Sequence, residues 1–171
     1  MASTLKVNEI QHTNGTSALT IDSGGLILPK VPSFEAIKTG SQTLTNATWT
    51  KITFQTESYD IGSHFDLANS KFQPTVAGYY QLNVLLYYGS GINTAIRSTI
   101  YKNGAEHRKI AVLYHTDASL DDYGIAGTCI VEANGTTDYF EIYGWASGTA
   151  TVNGDLYGRE TVISGHLVSV A

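Results

Sequence analysis

Apolar and polar residues alternate with a period of two along most of the chain. Ile52 and Phe54 alternate with Lys51, Thr53 and Gln55, and Tyr80, Leu82, Val84, Leu86 and Tyr88 alternate with Tyr79, Gln81, Asn83, Leu85 and Tyr87. Successive side chains of a strand point to opposite faces, so both runs predict β-structure, the second with two usable faces. Residues 95–101 and 109–114 flank Asn103-Gly104, and Asn-Gly between two β runs signals a hairpin because its turn needs positive φ at both central positions. Asn134-Gly135 predicts a second hairpin, between residues 124–132 and 139–145, and a third Asn-Gly at 153–154 precedes a last strand over 160–170. No window sustains apolar residues at i, i+3, i+4 and i+7, and Gly, Thr and Asn punctuate every few residues. The reading is an all-β chain, an antiparallel sandwich or barrel.

The first 33 residues differ. Residues 5–10 and 18–21 are short β runs separated by Asn14-Gly15-Thr16-Ser17, and Asp22-Ser23-Gly24-Gly25 turns into Leu26-Ile27-Leu28-Pro29. Each run is too short to bury its own apolar face, so another chain is expected to complete it. Residues 1–33 are therefore expected to form a short N-terminal anchoring and oligomerisation arm. Its contacts with a particle would use Leu5, Val7, Ile10, Leu19, Ile21, Leu26 and Leu28. Residues 34–171 are expected to be the globular head.

Composition removes several function classes. Ten Lys and Arg against fifteen Asp and Glu give a net charge of −5, with no basic stripe, so nucleic-acid binding is not expected. Cys129 is the only cysteine, which excludes an intrachain disulfide and a cysteine-built zinc site; a small buried hydrophobe is the expectation for it. The five histidines form no metal-binding spacing, and Gly144-Trp145-Ala146-Ser147-Gly148 has its serine one place late for a nucleophile elbow. No catalytic or cofactor-binding residue is expected, and the chain is read as not an enzyme. No run approaches a membrane span and the N-terminus has no secretory pattern, so membrane insertion and ordinary secretion are not expected.

The most specific pattern lies in residues 54–84. Phe54, Asp60, Phe65, Phe72 and Gly78 are followed by Tyr80, Leu82 and Val84 at every second place. This spacing resembles the signature of C1q-like domains, relatives of tumour necrosis factor, although Leu82 and Val84 stand where that family has aromatics. Tyr101-Lys102-Asn103-Gly104 and Ser164-Gly165-His166-Leu167-Val168 resemble the family's hairpin and closing strand. The rings would fill the space between two sheets, and Gly78 would open a strand after a sharp turn. The resemblance implies a ten-strand antiparallel jelly-roll sandwich that assembles as a homotrimer. Tyr outnumbers Phe eleven to five, which suits a half-wet interface, and Tyr79, Leu85 and Tyr87 are the candidates to meet a neighbouring copy.

Some C1q-like trimers hold calcium near the axis with loop carboxylates. By that likeness Asp117, Asp121 and Asp122 are weak calcium candidates, a solvated acidic loop being the more ordinary reading. The segments 88–93 and 145–152 are expected at the surface, where an exposed Trp145 would stack on a sugar. No collagen-like Gly-X-Y stalk is present. In its place the run Thr4-Leu5-Lys6-Val7-Asn8 through Leu28-Pro29 looks like the opening of small fibre and structural proteins of tailed bacteriophages. The expectation is a virion protein assembled in the host cytoplasm, a trimeric phage fibre whose arm docks to other virion proteins and whose head binds a host surface glycan or protein. The alternatives are a capsid decoration protein of the same fold and a secreted C1q-like lectin or ligand.

Overall fold

The computed structural model describes residues 7–11, 13, 15, 17–21, 23–25, 27–115, 122–154 and 161–171. The chain divides into two compact units, Met1–Val31 and Pro32–Ala171. The first is a three-stranded antiparallel sheet of β1 (Glu9–Gln11), β2 (Ser17–Ile21) and β3 (Ile27–Pro29). Ile10 pairs with Leu19 and Leu19 with Pro29, while the Ile21 N–H donates to the Asn8 carbonyl at 2.9 Å.

The second unit is built from β4 (Ser33–Ile37), β5 (Gln42–Thr43), β6 (Thr50–Lys51), β7 (Thr56–Ile61), β8 (Phe65–Asp66), β9 (Lys71–Phe72), β10 (Gly78–Tyr88), β11 (Ala95–Lys102), β12 (Ala105–Tyr114), β13 (Tyr123–Ala133), β14 (Phe140–Ala146), β15 (Thr151–Asn153) and β16 (Val162–Val170). No helix occurs among the described residues. Sheet I runs β5-β15-β10-β16-β4-β7, with β13 paired along the whole of β10. Sheet II runs β12-β11-β14-β9-β8, with β6 also on β14.

The alternation in β10 sets the layers. Tyr80, Leu82, Val84, Leu86 and Tyr88 are buried, whereas Tyr79 is exposed and Gln81, Asn83, Leu85 and Tyr87 are half-buried. The signature rings form one chain through the core. Phe65 lies 5.1 Å from Phe34 and 6.0 Å from Phe54, and Phe72 stacks on Phe34 at 4.5 Å and meets Tyr80 edge-on at 5.2 Å. Offset and edge-to-face contacts at these distances add to the burial of large apolar area, so these rings hold the sheets together. Asp60 supplies the polar link of the signature: its carboxylate oxygens accept the His64 and Phe65 N–H groups at 3.0 and 2.8 Å. Gly78 does open β10, but the structure gives a further reason for it. A Cβ there would lie 2.4 Å from the Ser169 carbonyl oxygen.

Three expectations need correction. The Asn103-Gly104 hairpin forms, with φ of 54° and 80° and β11 paired to β12. Asn134-Gly135 does not make one: β13 pairs with β10 in sheet I and β14 with β11 in sheet II, so the segment crosses between layers. The cause is the Asn134 side chain, whose Oδ1 accepts the N–H groups of Thr136, Thr137 and Asp138 at 3.0, 2.9 and 3.0 Å, winding the backbone out of the sheet. Residues 52–55 keep their alternating burial but lie between β6 and β7 rather than inside a strand. Trp145, expected both to end the run 139–145 and to open the surface segment 145–152, lies inside β14.

Candidate functional site

The outward face of sheet I is laid out by strand register. One row joins Ile61, Ser33, His166, Gln81 and Ile130; the next joins Tyr59, Glu35, Ser164, Asn83 and Thr128; a third joins Ile37, Val162, Leu85 and Ala126. Tyr79 and Ile130 are exposed at one end of this face, beside Val168 at the bulge where β16 slips register against Tyr79 and Tyr80. In the middle β13 presents only Gly124, Ala126 and Thr128, so a shallow hollow of about 540 Å³ opens beside Leu85, Val162 and Ser164. Tyr79, Leu85 and Tyr87 all lie on this outward face of β10, opposite the core. Polar side chains are interspersed with the apolar ones, with Gln81 donating to Asn83 at 3.1 Å.

The outward face of sheet II differs in chemistry. Ile96, Ile100, Phe140, Ile142 and Ala146 point into the core, so Arg97, Tyr101, Tyr143 and Trp145 point away from it. Arg97 pairs with Trp145 on one side and with Val112 on the other. Its guanidinium lies 4.3 Å from the centre of the Trp145 ring and 5.7 Å from that of Tyr114, and it donates to the Tyr114 hydroxyl at 3.3 Å. Two residues along β14, Tyr143 stacks on Tyr101 with ring centres 3.8 Å apart. Burial foremost, with Glu106 beside Tyr101 and Glu141 beside Tyr143, pushes both phenols above their ordinary range. Of these residues the sequence reading singled out Trp145 alone. The alternation in β11 and β14 carried the rest, but which strands lie side by side is not a local property.

The remaining site candidates fall as follows. Asp122 has a φ of 74° immediately before β13, while Asp117 and Asp121 lie outside the described residues. Among the described residues no group of three His, Cys, Asp or Glu side chains could hold a metal ion. Of the arm residues, Ile10 is exposed and Val7, Leu19 and Ile21 are half-buried; Leu5, Leu26 and the Leu28 side chain lie outside the described residues. Cys129 is half-buried against the core, and burial pushes its thiol up, which makes it a poor nucleophile. The backbone of His107, Arg108 and Lys109 forms an exposed stretch of β12.

No family model matches the chain, and no curated protein matches it in sequence. Solved structures do resemble it in shape. The globular domain of the zebrafish complement 1qA protein superposes with a TM-score of 0.56 at 14% identity, covering 82% of this chain and 99% of that one. Murine APRIL gives 0.59 at 6% identity, covering 81% and 99%, and the Eiger TNF of S. frugiperda gives 0.56 at 11%, covering 82% and 94%. At these identities the likeness is one of fold. With its pair of antiparallel sheets, no helix among the described residues and the ring chain between the layers, the molecule has the jelly-roll fold of C1q and tumour-necrosis-factor domains.

Proposed function

We propose that the chain is a non-enzymatic attachment subunit of a bacteriophage particle. In this reading it is a homotrimer whose heads associate through the outward face of sheet I, whose N-terminal arm docks to other virion proteins, and whose opposite face is turned to the host. The observation that carries the association is the hollow beside Leu85, floored by Ala126 and Gly127, next to the exposed Tyr79, Ile130 and Val168. Left in water, that apolar surface forfeits roughly 25 cal/mol for every Å² that a partner would cover. The same fold as C1q and tumour-necrosis-factor domains supports burial of this face between copies. The separation of Met1–Val31 as a unit of its own supports an anchoring role, and the low charge supports an extracellular structural protein rather than a polyanion binder.

The test is add-back to particles that lack the protein. Full-length chain is expected to rebind them and restore adsorption to host cells, whereas residues 34–171 alone are expected to remain soluble and stay unbound. Particles that adsorb normally without the chain but break under mechanical or thermal stress would replace the attachment reading with capsid decoration. Rebinding by the truncated head would overturn the anchoring role of the arm.

A further inference from the structure

We propose that the outward face of sheet II is a binding site for a glycan ending in an acidic sugar, with a pyranose stacked on Trp145 and its carboxylate held by Arg97. The proposal deepens the host-surface reading above and rests on it. The lysines found within reach of a carboxylate are Lys51 with Glu141, Lys71 with Asp66, Lys102 with Asp138 and Lys109 with Glu106. Arg97 has no such partner among the described residues, although it is half-buried and its Nε is enclosed without a hydrogen bond. A guanidinium partly removed from water and left without a counter-charge is a cost that an arriving carboxylate removes. Its planar fork favours two parallel hydrogen bonds to a carboxylate, which an ammonium cannot offer.

The group is also already fixed. The Trp145 ring on one side and Tyr114 on the other hold the guanidinium, with the Tyr114 hydroxyl accepting from Nη2 at 3.3 Å. Little rotamer freedom therefore remains to be lost on binding. Around it the surface is aromatic and only half-buried, Trp145 in the same row and the Tyr101–Tyr143 stack two residues along. Such rings are flat, apolar and tipped with donors, which suits the C–H face and hydroxyl rim of a sugar. One guanidinium flanked by aromatic rings, in a chain of net charge −5, matches one terminal carboxylate, not a nucleic-acid or polyuronate backbone. The site lies on the sheet opposite the proposed association face, so trimer formation leaves it open.

The experiment titrates full-length protein with 3′-sialyllactose and with a disaccharide ending in glucuronic acid, each beside its carboxyl methyl ester. Calorimetry and tryptophan fluorescence give the readout. At least one acid is expected to bind and its ester to bind about ten- to a hundredfold more weakly, the worth of a charge-assisted hydrogen-bond pair. Arg97→Gln is expected to weaken the acid by the same factor and leave the ester unchanged, and Trp145→Ala to abolish both. Should Trp145→Ala fail to fold, Tyr114→Ala, which removes a ring that is 68% exposed and holds the guanidinium, is expected to weaken the acid and leave the ester unchanged. Failure of both acids at millimolar concentration, equal binding of acid and ester, or wild-type binding by Arg97→Gln would overturn the proposal. Adsorption to host cells separates the two readings. Cells bound equally by wild type and by Arg97→Gln would sink the site but keep the attachment role. Sugar binding without cell binding would do the reverse.

Discussion

At the residue scale, two side chains show how the head is held. Phe34 has no exposed surface and stacks on both Phe65 and Phe72, so it joins sheet I to the ring chain between the layers. Phe34→Ala removes those contacts and leaves a void, and is expected to cost about 3–5 kcal/mol, read as a lower urea midpoint. Asp138 ties two turns together. Its carboxylate accepts from Lys102 and from Asn103 at 2.8 Å each, and from the Asn134 N–H at 3.0 Å. Burial alone would raise this carboxyl, but the hydrogen bonds from Lys102, Asn103 and Asn134 outweigh it and hold it below the usual carboxylate range. A carboxyl depressed by folding contributes stability that is full above the unfolded value of about 4 and is lost as pH falls through the folded one. Asp138→Asn is therefore expected to be less stable than wild type at pH 6, with the difference between their urea midpoints closing below about pH 4. A gap unchanged down to pH 3 would show that the charge of Asp138 contributes nothing.

At the scale of elements, the two Asn-Gly pairs offer a controlled comparison. Gly104 and Gly135 both have positive φ, 80° and 72°. A Cβ on Gly104 would meet only the Tyr139 hydroxyl at 3.5 Å, whereas on Gly135 it would lie 2.5 Å from the Ala77 backbone nitrogen. Gly104→Ala is expected to cost about 1–2 kcal/mol for the left-handed backbone, and Gly135→Ala distinctly more because the crossing segment must also move. Thermal melts of the two variants decide this, and equal losses would show that the contact with Ala77 is unimportant. The same pair explains what the sequence could convey. The core face of β10 and the ring spacing from Phe54 to Tyr80 were legible because a period of two and a signature are local. The Asn134 turn was misread because its meaning depends on a side chain that bonds forward to Thr136, Thr137 and Asp138 instead of closing a ladder. The Arg97, Tyr114 and Trp145 grouping was invisible for a different reason: three strands, β11, β12 and β14, bring it together from positions scattered over nearly fifty residues.

At the scale of the whole molecule, the outward face of sheet I is proposed to be covered by two further copies of the chain. Ala126 is exposed in the hollow opposite Leu85, on the side away from the core, so Ala126→Arg leaves the fold of one copy undisturbed while filling the space a neighbour would enter. Light scattering on the full-length protein at micromolar concentration, with this variant beside it, is the most direct measurement. The wild type is expected to elute as three copies of the 18.4 kDa chain, about 55 kDa, and Ala126→Arg as a folded single chain. A wild type that runs as one stable 18.4 kDa molecule, or an Ala126→Arg variant that still assembles in threes, would contradict the account.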